Sequence, residues 1–114
     1  MTLDRKSIVQ VRAALERLAE QGPNLGRPLV DSVKGSKHHN MKELRPGSSG
    51  RSELRVLFAF DPVRSAIILL GGDKQKSWNK WYPVAIKIAD ELFDEHLKQL
   101  EVLKMLEMKE QGNG

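Results

Sequence analysis

The segment Leu54–Leu70, with the sequence LRVLFAFDPVRSAIILL, decides the fold of this chain. Its first half is rich in aromatic and aliphatic residues, and Asp61-Pro62 is typical of a turn with proline at its second position. Its second half contains the continuous apolar run of residues 67–70, which is typical of a strand buried on both faces. The segment therefore predicts a β-hairpin with strands over Leu54–Phe60 and Ser65–Leu70.

The residues before this hairpin predict a further strand and a helix. Met41–Leu44 is a short strand candidate, whereas residues 24–40 are rich in glycine, proline, serine and lysine and predict a loop or short irregular structure. Apolar residues at helical spacing predict a helix over residues 4–21, with Asp4 as its cap and Gly22-Pro23 as its end.

The residues after the hairpin predict a second helix. We expect Gly71-Gly72 to close the last strand and residues 73–80 to form a basic loop. Pro83 suits a first helical turn, and apolar residues then follow helical spacing past Leu106. Residues 1–114 are thus expected to form one α+β domain, a small antiparallel sheet of about three strands packed with an N-terminal and a C-terminal helix.

The composition excludes several classes of protein. The chain has 114 residues, no cysteine and a net charge of +4, so a disulfide framework and thiolate metal sites are excluded. No apolar run approaches the roughly 20 residues of a membrane span. The absence of cysteine fits a reducing cytoplasm, which is the localisation that we expect.

The charge is unevenly distributed along the chain. Residues 1–82 carry 15 basic against 8 acidic side chains, whereas residues 83–114 carry 4 against 7. The first part is therefore suited to a polyanionic partner and the second part would be repelled by one. A basic surplus of this size is equally compatible with a role in solubility alone.

Two groups of side chains are candidates for the functional site, and the second of them is a candidate for binding RNA. Strand alternation places Glu43, Arg45 and Arg55 on one side of the sheet, which we expect to be exposed because the aromatic side of Leu54–Phe60 should be core. The second group mixes basic residues with aromatic rings, which suits phosphates and unpaired bases; it comprises Lys74, Lys76, Trp78, Lys80, Trp81 and Tyr82. The alternative is that a tryptophan anchors the last helix to the sheet while the lysines are solvated.

The histidines do not form a metal motif. His38 and His39 are adjacent in a predicted loop, His96 is distant, and no ligand spacing such as two histidines four residues apart occurs. We therefore expect no metal and no cofactor. His96, between Leu92 and Leu100, suits a histidine at the edge of the core as well as a catalytic one.

The order and spacing of several motifs resemble the RelE/ParE superfamily of bacterial toxins. The motifs are Leu44-Arg45, Ser48-Ser49-Gly50 and Arg55-Val56-Leu57-Phe58. The strings at residues 40–45, 58–62 and 72–74 are similar to the HigB-type, phage-derived branch of that superfamily. The resemblance covers roughly residues 15–100. It implies a ribosome-dependent mRNA endonuclease that is silenced by an antitoxin, often a helix-turn-helix repressor.

The resemblance also implies roles for individual residues. Arg55 matches the strand arginine that binds the scissile phosphate, and Lys74 or Lys76 falls where the family has a basic group. Tyr82 matches a tyrosine that stacks on the base or assists proton transfer. Glu43 stands where some members have a lysine and is a candidate general base, and His96 is similar to a C-terminal histidine of some relatives.

The family fold usually begins with a strand before the first helix, and we expect this strand to be missing here. An exposed sheet edge would then favour a homodimer. The leading hypothesis is an mRNA endonuclease that inhibits translation. The alternatives are a catalytically weakened toxin-like protein that mainly binds its antitoxin, and a gyrase inhibitor of the ParE type.

Overall fold

A four-stranded antiparallel sheet lies between two helices in the computed structural model, which describes residues 5–47, 53–73 and 78–113. The elements are α1 (Arg5–Gln21), a 3-10 turn (Gly22–Asn24), β1 (Val30–Ser32), β2 (Met41–Leu44), β3 (Leu54–Phe60), β4 (Ala66–Asp73) and α2 (Trp78–Asn113). The strands follow one another in the order β1-β2-β3-β4, and each pair is antiparallel. The predicted α+β class is confirmed, and the predicted bounds of β2 and β3 are those of the structure.

The sheet has four strands instead of the expected three because β1 lies in the segment that was predicted as a loop. Val30 pairs with Leu44, and Asp31 pairs with Glu43. Val30 is 4% exposed and packs in the core, which offsets the weak strand propensity of its surroundings. A three-residue strand gives almost no alternation to detect, and only its long-range pairing with β2 reveals it.

The predicted ends of β4 and α2 were wrong. Strand β4 does not close at Gly71-Gly72 but continues to Asp73, because both glycines pair with β3. Helix α2 begins at Trp78, so Pro83 lies inside the helix, and Lys80 is helical rather than part of a loop. The predicted cap Asp4 and residues 74–77 of the predicted basic loop are outside the described residues.

One face of the sheet packs against α1. Phe58 and Leu44 are fully buried there, in contact with a cluster that includes Ala14 and Leu18 of α1. This face has the aromatic side of β3, so the prediction that these residues form core was correct.

The opposite face, which was expected to be exposed, packs against α2. Met41, Leu57 and Ala59 are completely buried and form a second cluster with Ala89 and Phe93 of α2. The apolar residues on this face have to be shielded from water, like the aromatic residues on the opposite face, and α2 packs over them. The end of this face that lies beneath the first turns of α2 carries polar side chains, among them Glu43, which bonds to Tyr82, and the candidate site is built there.

Helix α2 extends well beyond the sheet. At 36 residues it spans about 54 Å, close to the 58 Å length of the molecule. All side chains over residues 101–110 are exposed. Among the described residues, no helix combines the length and hydrophobicity needed to cross a lipid bilayer.

Candidate functional site

Glu43 lies at the centre of a cluster of polar side chains between the sheet and the start of α2. Its residue is 4% exposed, and both carboxylate oxygens have partners. The Tyr82 hydroxyl donates a hydrogen bond to Oε2 at 2.6 Å. Arg45 donates to Oε1 through Nε at 2.8 Å and through Nη2 at 2.7 Å. A buried carboxylate with three such donors is held in one orientation.

Tyr82 is held in its neutral form at physiological pH. Burial, followed by the hydrogen bond with Glu43, raises the pKa of Tyr82 to about 12, and the nearby guanidinium of Arg55 opposes this shift in pKa. The phenol is therefore a weak acid that is positioned between a carboxylate and a cation. This is a geometry in which a proton can be donated or returned.

Arg55 approaches Tyr82 from β3. Its Nη1 donates to the Leu54 carbonyl oxygen at 2.7 Å, while its Nε is buried without a hydrogen-bond partner among the described residues. A buried guanidinium donor without an acceptor is costly, and an anionic ligand oxygen would satisfy it.

The absence of a side chain at Gly72 allows Trp81 to pack beside Tyr82. Gly72 pairs with Arg55 across the sheet, and a Cβ atom at this position would lie 2.3 Å from Nε1 of Trp81. The Trp81 indole therefore packs directly on the glycine, and its ring centroid is 5.0 Å from that of Tyr82. The anchoring role that was considered for a tryptophan is the one that Trp81 has in the structure.

Asp31 joins two further arginines to the cluster. Its Oδ2 lies 3.3 Å from Nη2 of Arg45, and its Oδ1 lies 3.2 Å from Nε of Arg27. The pKa of Asp31 is lowered, first by the backbone N–H of Ser32 and then by the hydrogen bond from Arg27. These side chains face a groove of about 670 Å³, which is lined by Arg27, Asp31, Ser32, Val33, Lys34, Glu43, Arg45, Tyr82 and Ile86.

The structure brings together four of the predicted site residues, Glu43, Arg45, Arg55 and Tyr82. Lys80 is exposed on α2, the side chain of Trp78 is not described, and Lys74 and Lys76 lie outside the described residues. Sequence reasoning missed Arg27 and Asp31. The only signal for Asp31 was its register with Glu43, which required recognition of β1.

His96 lies away from this cluster. Its Nε2 is 2.8 Å from Oδ2 of Asp61, and fourteen residues of helix separate it from Tyr82, a distance of about 20 Å. The Asp61 side chain is 1% exposed and accepts hydrogen bonds from the backbone N–H groups of Val63 and Ser65. Burial raises the pKa of Asp61, but the hydrogen bond with His96 and these backbone bonds outweigh it and lower the pKa overall.

The segment before β2 is fastened to α2 by a second group of side chains. The Ser36 hydroxyl donates to Asp90 at 2.5 Å, and Nε2 of His38 lies 2.9 Å from Asp94, which also pairs with Lys37. These contacts fix the position of α2 along the sheet. No group of three or more potential metal-ligating side chains occurs among the described residues.

Comparison with known proteins identifies relatives of the chain. Residues 1–94 match the profile of a family described as phage derived protein Gp49-like. The chain is 61% identical over 102 residues to a Mycobacterium tuberculosis protein named "Putative toxin HigB2", covering 90% of this chain and 51% of that protein. It is 52% identical over 89 residues to "Putative toxin HigB3" of the same organism, covering 78% of this chain and 75% of that protein.

The chain thus spans about half the length of the first of these relatives and three quarters of the second. No solved structure matches the chain.

Proposed function

The chain belongs to the Gp49-like family of phage-derived proteins, and from this membership we propose that it is the toxin of a toxin–antitoxin pair and that it cleaves mRNA on translating ribosomes. Two relatives are named as toxins, which supports the first part of the proposal. The observation that carries the second part is the hydrogen bond between Tyr82 and Glu43, with the half-buried Arg55 beside Tyr82.

The reaction begins with attack of a ribose 2′-oxygen on the adjacent phosphorus. Glu43 accepts the proton of the 2′-hydroxyl, exchanging one of its present hydrogen bonds for the one to substrate. Because the carboxylate of Glu43 is fixed, binding places the ribose 2′-hydroxyl next to its base, and this lowers the entropic cost of the proton transfer. The new P–O bond forms while the bond to the 5′-oxygen of the next nucleotide weakens.

Arg55 stabilises the negative charge that develops on the phosphate. Its side chain is half-buried, so part of the guanidinium is accessible to a phosphate oxygen, and a charge-assisted hydrogen bond there stabilises the developing charge. Because the backbone of β3 and the Leu54 carbonyl hold the guanidinium in place, little reorganisation accompanies the reaction.

Tyr82 donates its proton to the departing 5′-oxygen. A phenol with a pKa of about 12 keeps its proton at neutral pH but gives it to an alkoxide, which is far more basic. The products are a 2′,3′-cyclic phosphate and a free 5′-hydroxyl. Once the product has left, the Tyr82 phenolate contacts the protonated Glu43 again and takes up its proton, and this step restores both groups and the 2.6 Å hydrogen bond between them.

Several further properties belong to the same proposal. Lys74 and Lys76 remain predicted RNA contacts, while His96 has no place in this mechanism because it lies beside Asp61. An antitoxin, expected to be a helix-turn-helix protein, silences the chain in the cytoplasm. A homodimer through a sheet edge also stays a prediction.

The endonuclease activity is tested in a reconstituted translation reaction, with cleavage sites mapped by primer extension. We expect Tyr82→Phe and Glu43→Gln to reduce the cleavage rate by about 10²–10⁴-fold, since each removes a proton transfer. We expect Arg55→Gln to reduce it by about 10²–10³-fold through the loss of charge stabilisation. Arg12→Gln is the control, because Arg12 is exposed on α1 and pairs only with Glu16 among the contacts described.

Intact mRNA in the presence of the folded wild-type protein would refute the endonuclease proposal. Stable binding of the antitoxin in that case would support the alternative of a catalytically weakened toxin. A gyrase supercoiling assay, in which we expect no inhibition, separates both from the ParE type of activity.

A further inference from the structure

The groove beside Tyr82 contains two arginines on one carboxylate, and we propose that Arg27 and Arg45 form a second phosphate-binding subsite for single-stranded RNA, positioned by Asp31. This inference rests on the proposed function, since it assigns how the same groove holds the RNA next to the reacting phosphate. It concerns Arg27 above all, a residue outside the predicted site.

One hydrogen bond and three ion pairs form a continuous series from α2 to the segment before β1. Tyr82 contacts Glu43, Glu43 contacts Arg45, Arg45 contacts Asp31, and Asp31 contacts Arg27. Each oxygen of Asp31 faces one of the two arginines, so this carboxylate fixes the position of one guanidinium relative to the other.

The two arginines are accessible, whereas the carboxylates that hold them are not. The side chains of Arg27 and Arg45 are 79% and 38% exposed, and those of Asp31 and Glu43 are 20% and 5% exposed. Arg27 pairs with Asp31 through Nε, and a guanidinium has five N–H donors, so as far as the described residues show, its terminal amino groups are available to a ligand. Such a fork matches the oxygens of a phosphate.

The subsite is distinct from the position of Arg55. Leu44 pairs with Val56 in the antiparallel ladder, which brings Arg45 at the end of β2 beside Arg55 at the start of β3. Arg27 lies beyond β1, two strands away from β3, a separation of about 10 Å at the usual strand spacing. Arg27 and Arg55 also have different partners, since Arg27 pairs with Asp31 whereas Arg55 donates to the Leu54 carbonyl oxygen, and we assign the pair Arg27 and Arg45 to a phosphate that neighbours the one at Arg55.

The charge balance favours a polynucleotide over a free anion. The groove is lined by three basic side chains, including Lys34, and by the two carboxylates, which leaves an excess of only one positive charge. A small anion gains little from so small an excess. A single-stranded RNA gains the phosphate contact together with contacts at Tyr82 and Arg55, so the subsite contributes only to an extended ligand.

The test is the salt dependence of binding of a single-stranded RNA with 2′-O-methyl riboses, which cannot be cleaved. We expect Arg27→Gln to weaken binding and to reduce the slope of log K against log salt by about 0.7, the value for one phosphate contact on a single strand. The loss is expected to be equal for oligo(U) and oligo(A), because a phosphate contact reads no base. We expect Arg27→Lys to retain the slope.

Arg12→Gln is a closely matched control. Arg12 is 81% exposed and pairs with Glu16 four residues away at 3.3 Å, just as Arg27 is 79% exposed and pairs with Asp31 four residues away at 3.2 Å. Because Arg12 is on α1, which packs on the other face of the sheet, this variant should keep the wild-type slope.

The failures of the two proposals are distinguishable. Equal slopes for Arg27→Gln and Arg12→Gln, in a protein that cleaves mRNA, overturn the subsite and leave the endonuclease intact. Cleavage on ribosomes without measurable binding of isolated RNA also overturns the subsite. A folded wild-type protein that neither cleaves nor binds RNA overturns both proposals.

Discussion

The close packing of Trp81 on Gly72 predicts that Gly72→Ala destabilises the protein. The added Cβ would lie 2.3 Å from Nε1 of Trp81 and 2.8 Å from two further indole atoms, so the ring has to move. Overpacking of this kind costs about 1–3 kcal/mol, while replacing a glycine within a strand recovers about 0.5–1 kcal/mol. The two ranges leave a net loss of about 0–2.5 kcal/mol, and because 2.3 Å is far inside van der Waals contact we expect the upper part, about 1–2 kcal/mol in the free energy of unfolding.

Gly71→Ala is the matched control for this prediction. The neighbouring glycine is in the same strand, and its Cβ would have its nearest neighbours at 3.8 Å, an ordinary contact distance. We expect this variant to be as stable as the wild type or slightly more stable. Urea unfolding followed by far-UV circular dichroism measures both, and in a chain of 114 residues a loss of about 1–2 kcal/mol corresponds to a decrease in Tm of about 4–8 °C.

Equal stability of the two variants would refute the close contact between Gly72 and the indole. The double variant Gly72→Ala/Trp81→Ala gives a further check. If the clash is the cause, the alanine at position 72 costs much less once the indole is absent, and the double-mutant cycle gives a coupling energy of about 1 kcal/mol or more.

Three other predictions concern α2 and its contacts. Asp61→Asn should destabilise the protein by about 1–3 kcal/mol at pH 7, since it weakens a buried hydrogen-bond network with His96. The pKa of Asp61 is lower in the folded protein than the unfolded value near 3.9, so the ionised carboxylate stabilises the fold fully above that pH. The difference in unfolding free energy between this variant and the wild type, measured in urea, should therefore shrink as the pH falls through the folded pKa. Asp90→Ala should accelerate hydrogen exchange of the backbone over residues 36–38, as measured by mass spectrometry, and exchange equal to that of the wild type would contradict the fastening role of Asp90. Removal of residues 105–114 should change the free energy of unfolding by less than about 0.5 kcal/mol, because the side chains described there are exposed. A larger loss would show that this part of α2 makes stabilising contacts.

The hairpin and both helices could be predicted from the sequence because their patterns are local. The alternation and turn chemistry of Leu54–Phe60 and Asp61-Pro62 do not depend on distant residues. Strand β1 could not be found this way, since its three residues are recognisable only through their pairing with β2. The start of α2 was misplaced because Pro83 is common in a first helical turn, whereas here the helix continues for five residues before it.

The candidate site was predictable only in part, for a related reason. Alternation correctly grouped Glu43, Arg45 and Arg55 on one side of the sheet, but it does not indicate which side is covered. Leu57 and Ala59 on that same side were the signal for a second core, and in the structure the helix that covers them brings Tyr82 to Glu43. Arg27 belongs to the site because it forms an ion pair with Asp31, and no local sequence pattern predicts that ion pair.

The position of Trp81 gives the molecule a built-in optical reporter. The chain has two tryptophans and one tyrosine, and all three fall within the first five residues of α2. Intrinsic fluorescence excited at the indole band therefore reports on one corner of the domain, the corner at which Tyr82 borders the groove. Trp81 contacts Tyr82, which lines the groove, so a quenching titration with unlabelled oligonucleotide would follow binding through this neighbour. If the fluorescence changes at a lower urea concentration than the far-UV circular dichroism signal of the helices, this corner unfolds before the rest of the domain.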